Sequence, residues 1–185
     1  MTPQRTGYTL RMLRSILLAV VALAATVYAE SAAGVRWTAP DGWVNEGSRP
    51  LRAATYRIAP AAGDKASAEC GVYFFGPGQG GTVDANLERW KGQFKDSNGK
   101  VAAAQIAKRT VHGLTITTID TAGEYSGMGG PMAASSSTVQ GYRLLGAIVA
   151  GSGGNIFVKL TGPAKTIAAN QQKFEQLLAS FQPDK

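Results

Sequence analysis

Between residues 68 and 94 the chain reads AECGVYFFGPGQGGTVDANLERWKGQF, an extended apolar segment, a glycine-rich turn and an amphipathic helix in immediate succession. Cys70, Val72 and Phe74 alternate with Gly71, Tyr73 and Phe75, and both sets are largely apolar. Such a strand must be covered on both faces, so the chain needs a central strand with a layer on each side. Helix signals follow at once. Thr82 is a good N-cap, Asp84 places negative charge in the first turn, and Val83, Leu87, Trp90 and Phe94 form one apolar stripe. Asp96-Ser97-Asn98-Gly99 is expected to end this helix.

The first 29 residues have a different character. Arg5, Arg11 and Arg14 precede an uncharged apolar run over residues 16–27, which closes on Val27-Tyr28-Ala29 before Glu30. This is the pattern of a cleavable secretory leader with its cut after Ala29. The run is shorter than the roughly 20 apolar residues a bilayer span needs, so no stable membrane anchor is expected after cleavage. The expected arrangement is a signal peptide over residues 1–29 and a single α/β domain over residues 30–185, in the periplasm or outside the cell. Cleavage removes three of the 19 basic residues and none of the 12 acidic ones, leaving a balance of +4. The remaining Lys and Arg are scattered rather than clustered, which argues against nucleic acid as a partner. Cys70 is the single cysteine, so an intramolecular disulfide is excluded and packing must hold the core. An inert buried thiol is the expectation for it.

In the mature region, Pro40-Asp41-Gly42 separates two extended pieces that carry Trp37 and Trp43, tryptophans expected to cover an edge of the core. Residues 52–58 alternate Ala54, Tyr56 and Ile58 against Ala53, Thr55 and Arg57. Residues 105–111 and 114–121 read as a hairpin turning at His112-Gly113. Residues 123–137, rich in glycine and serine, read as a long exposed loop. Residues 142–150 and 156–160 form a second hairpin across Gly151-Ser152-Gly153-Gly154-Asn155. Leu144, Leu145, Ile148 and Val149 point to both faces of its first strand, which should also be central. Gly162-Pro163 opens a last helix that buries Ile167, Phe174, Leu177, Leu178 and Phe181 and is stopped by Pro183.

These elements predict an α+β fold, an antiparallel sheet of about six strands flanked by helices as an α/β/α sandwich. Pro40-Asp41-Gly42-Trp43 after an initial strand, the long antiparallel stretch and the closing amphipathic helix resemble the Mog1/PsbP-like fold. That resemblance implies an adaptor or assembly role. More locally, Gly78-Gln79-Gly80-Gly81 with Asn86, Arg89-Trp90, Gln93-Phe94 and Lys159-Leu160-Thr161-Gly162-Pro163 is similar to a group of uncharacterised exported bacterial proteins. That similarity implies no activity.

Gly76-Pro77-Gly78-Gln79-Gly80-Gly81 formally matches G-x-G-x-x-G between a strand and a helix. A dinucleotide site belongs to a parallel βαβ unit and needs an acidic ribose ligand, and the antiparallel pattern here argues against one. Two readings of the turn remain. In the favoured one, glycine serves positive φ or close packing. In the other, Gly78, Gln79, Gly80, Gly81 and Thr82 bind an anion or small ligand at the helix N-terminus. His112, Met128 and Met132 could ligate copper, but their spacing is not that of a metal site. With one histidine, no G-x-S-x-G elbow, and Asp120 and Glu124 near a strand end, no residue is assigned a catalytic role. The expectation is a non-enzymatic binding or accessory module of the cell envelope, without cofactor or metal, whose partner is another envelope protein. The alternative is a small-ligand or anion binder at the 76–81 turn. The working surface is expected at that turn and the loop over residues 127–131.

Overall fold

The structure is a computed structural model and describes residues 29–127 and 138–184. Its main sheet has eight antiparallel strands. β3 (Val44–Asn45), β4 (Arg52–Ile58), β5 (Ala68–Tyr73), β10 (Gly154–Pro163), β9 (Thr138–Gly151) and β8 (Leu114–Ser126) lie side by side in that order. Beyond β8, β7 (Ala104–Val111) and β6 (Phe94–Lys95) pair with successive parts of it. A second, three-stranded sheet joins β1 (Ala29–Ala32), β2 (Val35–Thr38) and β11 (Gln182–Pro183). The short pieces β1, β3, β6 and β11 raise the strand count above the predicted six. Their two to four residues carry too little periodicity to read in advance.

Two apolar layers confirm the double-sided reading of the central strands. On one face, Tyr56, Cys70, Val72, Ala147, Val149, Val158 and Leu160 are covered by α2 (Ala164–Ala169), α3 (Gln171–Ser180) and the small sheet, through Trp37, Phe174, Leu177 and Phe181. On the other, Ile119, Leu144, Ile148 and Phe157 are covered by α1 (Val83–Lys91) through Leu87 and Trp90. This is the α/β/α sandwich. Trp37 stacks on Phe181 at 5.5 Å and donates from Nε1 to the Tyr56 hydroxyl at 2.8 Å, so its apolar body is buried with its one polar atom satisfied. Cys70 is fully buried, and desolvation pushes its thiol pKa well up, as an inert thiol requires.

The Pro40-Asp41-Gly42-Trp43 turn closes with Trp43 N–H on the Pro40 carbonyl at 3.3 Å and is held to α3 by Lys173 Nζ on the Asp41 carbonyl at 2.8 Å. His112 and Gly113 adopt φ of 48° and 83°, forming the expected two-residue hairpin link between β7 and β8.

Four boundaries differ from expectation. α1 stops at Lys91, because Gly92 and Gln93 leave the helix and Phe94 enters β6 opposite Tyr125. Phe94 still completes the apolar layer, but from a strand, and Asp96-Ser97-Asn98-Gly99 is a tight turn after β6 rather than a helix end. Residues 123–126 belong to β8 rather than to a loop, while residues 128–137, including Met128 and Met132, lie outside the described residues. The closing helix is broken at Asn170, whose Nδ2 donates to the Thr166 carbonyl while its Oδ1 accepts from Trp43 Nε1. This side chain competes with the helical backbone. Pro183 does not end the helix, which stops at Ser180, and Gln182 and Pro183 pair with β2.

Candidate functional site

The glycine turn at 76–81 delivers the chain from β5 to α1, with each part having a structural cause. Thr82 Oγ1 accepts from Ala85 N–H at 3.2 Å, the N-cap predicted from the sequence. Asn86 is buried and donates from Nδ2 to the carbonyls of Gly80 and Thr82, both at 2.8 Å, binding the turn to the helix. Gly80 has φ of +88°, and a Cβ there would lie 2.6 Å from the Phe157 ring and 2.8 Å from Phe75. Glycine is required at this position by close packing, the favoured sequence reading.

The same turn forms the rim of a cleft. Gln79, Gly80 and Gly81 line its mouth together with Leu51, Phe75 and Arg89, an open groove of about 540 Å³. Phe75 and Arg89 continue inward, where Tyr73, Trp90, Phe157 and Lys159 close the floor around a cavity of about 20 Å³. Of the predicted residues, Gln79, Gly80 and Gly81 line this cleft. Gly78 lies outside its lining and Thr82 serves the helix cap.

Lys159 lies at the centre of the floor. It stands on β10 in a row across the sheet, with Gly71 of β5 on one side and Gly146 of β9 on the other. A Cβ on Gly71 would fall 2.7 Å from the Tyr73 ring, and one on Gly146 would fall 2.7 Å from the Trp90 ring and 2.8 Å from Ile119. The two rings occupy the room the glycines leave and sheathe the lysine stem. Only 8% of Lys159 is exposed. Its Nζ donates to Gln93 Oε1 at 3.1 Å and lies 5.7 Å from the centre of the Trp90 ring.

Burial, reinforced by the nearby Arg89 and Arg52 guanidiniums, pushes the Lys159 pKa down to about 8. Arg52 forms an ion pair with Glu69 at 2.6 Å and lies 5.0 Å over the Tyr73 ring. Arg89 donates to Asn86 Oδ1. Among the described residues neither Lys159 nor Arg89 forms an ion pair. Residues 1–28 and 128–137 contain no Asp or Glu that could supply one.

Sequence reasoning missed Lys159, Arg89, Tyr73 and Trp90 as site residues, although one signal was present. Lys159 is the one charge inside the apolar run Ile156-Phe157-Val158-Lys159-Leu160, in the partner strand of one expected to be central. The other weighed groups have structural partners. Asp120 accepts two hydrogen bonds from Arg143, at 2.8 and 2.6 Å, Glu124 accepts from Gln140 at 2.6 Å, and His112 Nδ1 lies 2.9 Å from the Phe181 carbonyl oxygen. Among the described residues, no helix is long and apolar enough to cross a membrane.

No family model matches the chain, and a search of curated proteins finds no match. Solved structures do match. The cyanobacterial PsbP (CyanoP) from Synechocystis sp. PCC 6803 superposes with a TM-score of 0.50 at 14% identity, over 84% of this chain and 90% of that one. A protein of unknown function from Pseudomonas aeruginosa superposes with a TM-score of 0.48 at 13% identity, over 86% of this chain and 98% of that one. The chain has a Mog1/PsbP-like fold.

Proposed function

We propose that this protein is an exported, non-enzymatic binding module of the cell envelope that holds a small ligand in the cleft over β10. One observation carries the reading. A concave site beside the glycine turn gathers aromatic walls and two cations without carboxylate partners, the make-up of a ligand pocket rather than of a flat docking face. Among the described residues the large exposed apolar side chains, Val44, Leu51, Val101, Ile106 and Val139, come singly from separate segments, which favours a small ligand over another envelope protein as the primary partner. Export is supported by the leader pattern. A cut after Ala29 would leave the pairings of Glu30, Ser31 and Ala32 with β2 in place.

The test is a thermal-shift screen of a chemically mixed library against the purified protein and a Gln79→Trp variant, which crowds the exposed mouth. Ligands that stabilise the parent by several degrees should lose that shift in the variant, whose own melting temperature should stay unchanged. Ligands that stabilise both proteins equally would put the site elsewhere and sink the reading.

A further inference from the structure

Resting on that ligand-binding reading, we propose that the cleft selects a flat organic carboxylate, with the carboxylate held between Lys159 and Arg89 and the apolar body against the aromatic walls.

A lysine ammonium has three hydrogens to donate. Among the described residues Lys159 has one acceptor, Gln93 Oε1, although the side chain is more than nine-tenths buried and lines the floor of the cleft. Removing a charge from water without a counter-charge is unfavourable, and buried charges in folded proteins are ordinarily paired. Here the sheet is adapted to keep the charge. Gly71 and Gly146 flank it so that Tyr73 and Trp90 can lie over its stem. Arg89 adds a second cation at the inner edge of the mouth and is held by Asn86, itself tied to the turn. Two positive charges converge where no carboxylate side chain answers them, so the missing negative charge is assigned to the ligand.

Shape narrows the class. The floor holds about 20 Å³, room for roughly one oxygen-sized atom. A planar carboxylate can enter edge-on with one oxygen leading, whereas an inorganic phosphate, which could also lead with one oxygen, brings no apolar body for the aromatic walls to hold. Tyr73, Phe75, Trp90 and Phe157 then present apolar ring surface to whatever is attached, and the wider mouth accommodates it. Four aromatic side chains suit a flat ring, which can stack or meet their edges.

The probes are benzoate and indole-3-acetate, with benzamide and indole-3-acetamide as uncharged counterparts and inorganic phosphate as the bare anion. Each is titrated by calorimetry into the purified protein, its Arg89→Gln variant and its Lys159→Met variant. The acids should bind, and the amides should bind at least about tenfold more weakly, since a hydrogen bond to a charged group is worth roughly that factor or more. Both variants should weaken acid binding at least about tenfold, and acid affinity in the parent should fall between pH 7 and pH 9.5 as Lys159 loses its proton. Amides that bind as tightly as the acids, in a manner still sensitive to Gln79→Trp, would overturn the carboxylate assignment and leave the ligand-binding reading standing. Phosphate binding as tight as the acids, unaltered acid binding by Arg89→Gln, or no acid binding to the parent would each overturn it as well.

Discussion

Replacing Lys159 by methionine is expected to make this protein more stable at neutral pH. The native environment lowers the lysine pKa from 10.5 to about 8, chiefly by burial and further through Arg89 and Arg52. Each unit corresponds to 1.36 kcal/mol, so holding the ammonium charged in the fold at pH 7 costs about 3 kcal/mol. Methionine keeps a long flexible stem between Gly71 and Gly146 but leaves Gln93 Oε1 without its donor, which costs about 1–2 kcal/mol. The net expectation is a gain of about 1–2 kcal/mol at pH 7.

The sign with pH follows from the same shift. Between about pH 8 and pH 10.5 the unfolded lysine still binds its proton while the native one has released it, so wild-type stability rises through this window relative to the variant. The advantage of Lys159→Met should therefore shrink above pH 8 and vanish or reverse by about pH 10.5. The Cys70 thiol and the Tyr73 and Tyr125 phenols have raised native pKa values, all chiefly through burial, and they pull stability down at the alkaline end. Both proteins share that effect, so the difference between them isolates the lysine. Urea denaturation of the two proteins at half-unit steps from pH 6.5 to 10.5 reads it directly. A variant less stable than wild type at pH 7, or a difference that does not change with pH, would refute the argument.

Two further substitutions probe the sheet around the cleft. Gly146→Ala should lower stability by about 1–3 kcal/mol in denaturant titration and alter the near-ultraviolet circular dichroism, because the new methyl must displace the buried Trp90 ring or Ile119. Thr55, in the same row beyond Gly71, is fully buried with no partner for its hydroxyl among the described residues, so Thr55→Val should raise the unfolding free energy by about 1 kcal/mol.

The layered fold was legible because its evidence is local. The two-sided apolar pattern of residues 69–75 and of Leu144, Leu145, Ile148 and Val149 demanded cover on both faces, and α1 and the α2–α3 pair provide it. Thr82, His112-Gly113 and Pro40-Asp41-Gly42 acted as their local chemistry predicts. The break at Asn170 was not legible, because the bond from Trp43 that helps to fix it comes from 127 residues away in the chain. The cleft was half legible. Its rim is one continuous turn, whereas its floor takes Tyr73, Trp90 and Lys159 from three elements that only the sheet order brings together. No spacing rule links a lysine on β10 to glycines on β5 and β9.

The place of β10 in the sheet also sets the order in which the fold can be completed. β4 and β5 form one hairpin, β7, β8 and β9 form a meander, and the strand that joins them arrives at Gly154–Pro163, after both. Each half can pair locally, but neither apolar layer is continuous until that late strand inserts. Pairings such as Leu160 with Cys70 then close loops of about 90 residues, a topology that slows folding. The strand that carries Lys159 is therefore also the one that turns two open halves into a single folded body.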